Sequence, residues 1–264
     1  STVSHELRTP LNAINGITYL LLQEKPKVSQ LNYLKSLEFS GNYLLNFIND
    51  ILEINRLESD KVVLEKINFN LPELTENIVT SFKEFIHENN IKCHLNIDKS
   101  INYNLKGDPT KLSQILINLL NNAIKFSKNG DVWCNIIKKS ETTNNVTLYF
   151  EIKDNGIGIP KDKQDAIFDS FSQGSVEINR TYGGTGLGLS IVKKILELMG
   201  SEIHLTSESG KGSAFSFELE FEKGVANKTK EIEAKPDLTL LNKKKVLLVE
   251  DNKINQMITQ KMLE

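Results

Sequence analysis

The chain of 264 residues holds two cysteines, one tryptophan, three methionines and six prolines, and no long apolar run. Cys93 and Cys134 fall in separate strand-like segments without CxxC spacing. That excludes a disulfide framework and a zinc site, and it predicts free structural thiols in a reducing compartment. No apolar stretch approaches the roughly 20 residues a membrane helix needs, and no signal peptide opens the chain. This part of the protein is therefore expected in the cytoplasm without contacting a membrane; anchorage of a longer parent is left open. A formal net charge of −2 exerts no long-range pull on nucleic acid, so no nucleic-acid partner is expected. The run Lys243-Lys244-Lys245 reads as solvated linker.

What is present fits about two globular domains, with 39% hydrophobic and 25% charged residues. Residues 2–24 have helical periodicity: Leu7, Ile14 and Leu21 recur every seven, with Leu11 and Ile17 between them. Pro26 ends that segment. A second helix runs from about Ser29 to Leu57 with Leu34, Leu37, Leu44, Ile48 and Ile51 on a 3-4 spacing. Two helices with apolar faces this wide cannot cover each other. The cheapest solution is a second copy, giving a four-helix bundle from a homodimer over residues 1–62.

From about Asn68 the pattern changes. A helix is predicted over 71–89, a strand over 93–97, a helix over 109–127, strands at 132–137, 146–154 and 213–221, and a helix at 187–199. This mixture predicts a compact α+β domain over 68–222. Residues 223–243, rich in Lys, Glu and Asn, predict a linker. In 244–264 the apolar run Val246–Val249 before Glu250 and Asp251 reads as a buried parallel strand of an α/β fold, with too little chain left to complete that fold.

Three clusters carry candidate chemistry. The first is Ser4-His5-Glu6-Leu7-Arg8-Thr9-Pro10. Pro10 cannot donate to the carbonyl of Glu6, so the helix should bend one turn after His5. Thr9 shares the face of His5, and Glu6 could orient or deprotonate the ring. An imidazole must be neutral to attack phosphorus, and an ordinary pKa of about 6.5 allows that.

The second cluster lies on the helix at 109–127. Leu112, Ile115, Leu116, Leu119, Leu120, Ala123 and Phe126 fill one arc, while Asn118, Asn122 and Lys125 gather opposite, within about 60° of one another. That stripe is either a solvated face or a place where an amide ligates Mg²⁺ and Lys125 meets phosphate. The third comprises Asp154-Asn155-Gly156-Ile157-Gly158 and Gly183-Gly184-Thr185-Gly186-Leu187-Gly188. By parity Asp154 points with Val146, Leu148, Phe150 and Ile152 into the apolar side. It either caps its own turn or accepts a hydrogen bond from a buried ligand group. Glycines before a helix N-terminus suit phosphate, although this run is neither a Rossmann nor a P-loop motif.

The stretch Ser4–Leu11 resembles the H-box of histidine kinases. Residues 118–126 resemble their N-box, 154–160 their first glycine box, and Phe168-Asp169-Ser170-Phe171 their F-box. The order resembles that of the ATP-binding domain shared with gyrase, the heat-shock chaperone ATPases and mismatch-repair ATPases. The resemblance implies an autophosphorylating kinase that uses ATP and Mg²⁺, with His5 as phosphoacceptor, Glu6 assisting proton transfer and Thr9 positioning water. It implies Asn118 in the pocket, Asn122 on the metal, Lys125 on phosphate, Phe126 lining adenine and Asp154 reading it. Gly156, Gly158, Gly184, Thr185, Gly186, Leu187 and Gly188 would shape the pocket, and 173–185, with Arg180, would form a lid. Val249-Glu250-Asp251-Asn252 resembles the start of a receiver domain, whose two acids, Glu250 and Asp251, would hold Mg²⁺ in a complete receiver. That implies a hybrid kinase passing phosphate from His5 to an aspartate in a receiver, in cis or on a separate protein. The fold class is a helical hairpin, then an α+β sandwich ATP-binding domain, then a truncated receiver start, with a hinge near 59–67. The rivals are a clamp-type ATPase and an ATP-binding dimeric scaffold.

Overall fold

The computed structural model describes residues 2–58, 62–171, 185–224, 247–250 and 256–260, with side chains from residue 6 onward. The expectations for Arg180, Gly184, Asp251 and most of the linker lie outside these residues, as does the side chain of His5. The chain forms two compact units, Ser1–Leu52 with Lys230–Glu264, and Glu53–Thr229. The division falls inside the second helix.

In the first unit, α1 (Thr2–Gln23) and α2 (Val28–Glu58) form an antiparallel hairpin. Arg8 Nη2 donates to Asn49 Oδ1 at 3.2 Å, and Asn15 Nδ2 donates to Asn42 Oδ1 at 3.0 Å. Seven residues forward in α1 meet seven back in α2, so these polar pairs hold one register along two turns. Gly41 permits this close approach: a Cβ there would lie 1.8 Å from Asn15 Oδ1. Leu11, Ala13 and Leu34 are buried in this unit, and the Thr18 hydroxyl, also buried, donates to the Ile14 carbonyl at 2.8 Å. Pro10 sits within α1 and does not end it.

The tail does not form the strand expected there. Residues 247–250 have no regular structure, and Leu247 and Val249 are 87% and 84% exposed. A parallel strand is stable only beside neighbours that hydrogen-bond to it, and no described strand pairs with this segment. Residues 256–260 are helical, and Ile258 is buried, facing Gly16 of α1.

The second unit is a sheet covered on one face by helices. Its elements are β1 (Ile67–Phe69), α3 (Leu71–Ser81), α4 (Lys83–Glu88), β2 (Lys92–Ile97), β3 (Leu105–Gly107), α5 (Pro109–Phe126), β4 (Asp131–Glu141), β5 (Asn145–Asp154), α6 (Gly188–Leu198), β6 (His204–Glu208) and β7 (Gly212–Lys223). The strand order is β1-β3-β7-β5-β4-β2, with β6 also pairing β7. Only β2 and β4 run parallel. The single helix expected at 71–89 is two, broken at Phe82 (φ −92, ψ 2).

Alternation along β5 buries Val146, Leu148, Phe150, Ile152 and Asp154 on one face. Leu112, Ile115, Leu116, Leu119 and Leu120 of α5 are wholly buried. Phe150 stacks on Phe217 of β7 with centroids 4.9 Å apart. Each such side chain contributes about 1.5–3 kcal/mol by leaving water, so α5 is fixed over β5 and β4. Cys93 and Cys134 are free and sit on neighbouring strands. Burial, and secondarily Cys93, pushes the Cys134 thiol up to about 12, as expected of a structural cysteine.

The last residues of α2 pack with this unit. Glu53 pairs with Lys111 at the start of α5, and Lys194 Nζ of α6 lies 3.0 Å from Glu58 Oε1.

Candidate active site

The start of α5 is set by Asp108, whose Oδ1 accepts from Lys111 N at 2.9 Å, and by Pro109 at the first helical position. The apolar arc of α5 faces the sheet. Asn118, Asn122, Lys125 and Phe126 are left half-buried on the remaining side. A solvated stripe would be open to water; this one is partly walled in. Asn118 Oδ1 lies 3.2 Å from where a Cβ on Gly188 would sit, so the amide stripe faces the N-terminus of α6. Burial lowers the pKa of Lys125, whose Nζ lies 4.8 Å from the Phe126 ring centroid.

Among the described residues, the N-cap of α6, Leu187, makes no side-chain cap bond. Leu187 is buried and its N–H donates to Thr185 Oγ1 at 3.3 Å. Backbone donors in the first helical turn, at the positive end of the dipole, favour an anion.

Asp154 is 5% exposed at the end of β5. Its Oδ1 accepts from Gly156 N at 2.9 Å, so it does cap its own turn. Burial pushes the carboxyl pKa up, and the hydrogen bond from the Gly156 N–H opposes that shift. A carboxylate offers about four acceptor directions, and the Gly156 N–H takes one of them. The turn cap and the ligand acceptor are therefore compatible roles of one side chain.

Glycines let the backbone close around it. A Cβ on Gly156 would lie 2.1 Å from the Phe126 carbonyl oxygen, and one on Gly158 (φ +65) 2.0 Å from that of Glu208. The structure thus brings Asn118 beside Gly188, and Phe126, Gly156 and Asp154 together. In α1, Glu6 is exposed and Thr9 half-buried. Glu250 is half-buried but no strand end presents it.

Reasoning from sequence missed a second layer. Asn155 Oδ1 accepts from Asp131 N at 2.7 Å, tying β5 to β4 beyond the sheet ladder. Ser207 Oγ accepts from Ile159 N at 2.8 Å, and Gln164 Nε2 donates to the Ile159 and Ser207 carbonyls at 2.9 and 3.0 Å. The only sequence signal for Ser207 was the short strand β6, which polar composition hid.

Two family descriptions match this chain: "His Kinase A (phospho-acceptor) domain" over residues 1–60, and "Histidine kinase-, DNA gyrase B-, and HSP90-like ATPase" over 107–223. The chain is 39% identical over 219 residues to the signal transduction histidine-protein kinase BarA of Escherichia coli, covering 83% of this chain and 24% of that protein. It is 36% identical over its full length to the sensor histidine kinase AruS of Pseudomonas aeruginosa, covering 26% of it. The chain thus spans about a quarter of these relatives. Among solved structures, full-length ShkA in complex with AMPPNP superposes with a TM-score of 0.69 at 30% identity, over 85% of this chain and 46% of that one.

Proposed function

Because this chain belongs to the histidine kinases, with a phosphoacceptor domain and an ATPase domain in one polypeptide, we propose that it transfers the γ-phosphoryl group of ATP to His5. The observation that carries the reading is the buried carboxylate of Asp154, with acceptor capacity beyond its turn cap, close to Phe126 at the end of the helix whose amide stripe faces the start of α6. The carboxylate would accept from the adenine amino group. Lys125, Gly186 and Gly188 would meet phosphate. Asn122 would offer its amide oxygen to Mg²⁺, whose role is to neutralise phosphate charge. Among the described residues no three His, Cys, Asp or Glu side chains cluster. A single amide donor fits a Mg²⁺ held mainly by phosphate and water.

Phosphoryl transfer asks the protein for position and charge more than for covalent chemistry. In this reading, Glu6 takes the imidazole proton as His5 attacks, and Thr9 positions water when the phosphoryl group is removed. The test is incubation of wild type and His5→Ala with radiolabelled ATP. Label lost in acid and kept in base should appear on the wild type alone. Equal labelling of His5→Ala would sink the assignment, and ATP turnover without label would favour a clamp-type ATPase.

The hairpin is proposed to dimerise. Leu7, Ile14 and Leu21 recur on α1 and Leu37 and Leu44 on α2, yet all are exposed, Leu7 by 45% and Leu37 by 50%. A stripe this apolar is covered by a partner in most soluble proteins. Ile14→Glu combined with Leu44→Glu should give a monomer in sedimentation at concentrations where the wild type is dimeric. A dimer that survives both changes would place the interface elsewhere. We further propose relay from His5 to an aspartate of a receiver domain, in cis or on a separate protein, and a cytoplasmic location for this part of the chain, where ATP is available.

A further inference from the structure

We propose that Ser207 and Gln164 are positioning residues that pre-form the purine pocket and set its preference for adenine; this rests on the reading of Asp154 as the adenine acceptor. Residues 155–160 follow the carboxylate with no regular structure, so their backbone groups need partners of their own. Gly156 N donates to Asp154, Ile157 O accepts from Gly210 N at 2.7 Å, and both polar groups of Ile159 are met by side chains. Ile159 N donates to Ser207 Oγ at 2.8 Å, and Ile159 O accepts from Gln164 Nε2 at 2.9 Å.

Gln164 also holds the strand that carries Ser207. Gln164 Nε2 donates its second proton to the Ser207 carbonyl at 3.0 Å. Ser207 Oγ lies 3.0 Å from the Gly212 carbonyl oxygen and 2.9 Å from Ser213 Oγ. Gly212 in turn packs on the end of β5, where a Cβ would lie 2.0 Å from the Asp154 carbonyl oxygen. One hydroxyl therefore links the loop after Asp154 to the strand beside it, the two edges that aim the carboxylate.

Neither Ser207 nor Gln164 reaches the carboxylate, and both are remote in sequence from the phosphate-facing start of α6. Their loss should loosen the purine end of the pocket while the phosphate end stays in place. Binding should then weaken without a matching fall in the rate at saturating ATP. Gln164→Glu keeps the shape but turns a carboxylate toward two carbonyl oxygens. Ser207→Ala removes the hydroxyl, and Ser207→Thr restores it.

The experiment measures equilibrium binding of MgATP and MgGTP, autophosphorylation at saturating ATP, and thermal melting for these three variants, Asp154→Asn and the wild type. Gln164→Glu and Ser207→Ala should each weaken MgATP about tenfold, the scale of one misplaced hydrogen-bonding group, with MgGTP changed less than about threefold. The rate at saturating ATP should stay within about twofold, and Ser207→Thr should bind within about threefold of wild type. Unchanged MgATP affinity in Gln164→Glu overturns the proposal, as does equal weakening of both nucleotides or a loss confined to rate. Should Ser207→Ala fail to fold, half-exposed Gln164→Glu decides alone. Unchanged Gln164→Glu beside a defective Asp154→Asn refutes this inference only; an unaffected Asp154→Asn refutes the reading beneath it.

Discussion

Asp154→Asn should weaken ATP binding by about two orders of magnitude while the protein stays folded, since a buried mismatch costs about 1–3 kcal/mol and more when charge is involved. The two side chains have the same shape. Asparagine, however, replaces one acceptor oxygen with a donor, and Oδ1 already accepts from Gly156 N. With the amide oxygen kept on Gly156 N, a purine amino group would meet the amide NH2, donor against donor. Calorimetric titration with ATP measures the loss; affinity within about threefold of wild type would remove Asp154 from nucleotide recognition. The pH dependence of stability gives an independent check. Burial raises the carboxyl pKa, so the folded state binds that proton more readily than the unfolded one. The contribution of Asp154 to stability therefore falls as pH rises from the ordinary carboxylate range to the raised value, and it recovers as pH drops. Asp154→Asn should lack that component in melts without nucleotide.

Asp154 was legible because a strand has a period of two: an acid in phase with Val146, Leu148, Phe150 and Ile152 has to be buried with them. The amide stripe of α5 was legible for the same reason at a period of 3.6. The heptad Leu7, Ile14, Leu21 was readable as a surface needing a partner, and the structure leaves it exposed. The rest depends on contacts that no local pattern encodes. β1 and β3 are three residues long, too short for any period to show. The bonds from Gln164 and Ile159 to Ser207 span 43 and 48 residues. Nothing near Phe82 announces the break between α3 and α4. Val246–Val249 misled because apolar continuity marks a strand only where a sheet exists to receive it. The contacts at the end of α2 are equally long-range: Glu53 and Glu58 pair with Lys111 and Lys194.

Gly212→Ala is expected to be among the most damaging single-methyl changes in the chain, costing about 3 kcal/mol or more and lowering ATP affinity with it. Gly212 has φ +108, and a Cβ there would lie 2.0 Å from the Asp154 carbonyl oxygen and 2.7 Å from Asn155 Cα. Those are backbone atoms at the end of β5 and just past it, so no side chain can swing aside to relieve the overlap. β7 would have to move off β5, and the end of β5 that carries the Asp154 carboxylate would lose the backbone it packs on. Gly200→Ala separates the two causes. Gly200 also has a positive φ, +76, just beyond the end of α6, but nothing lies within 4 Å of a Cβ there. Its replacement should cost only the left-handed conformation, about 1 kcal/mol, and leave ATP binding unchanged. Urea unfolding of both variants, with slopes matching wild type, measures the difference. Equal destabilisation would mean that backbone conformation alone explains Gly212. A larger loss at Gly212, with ATP affinity falling beside it, would tie the seat of the purine to the contact between the end of β5 and the start of β7.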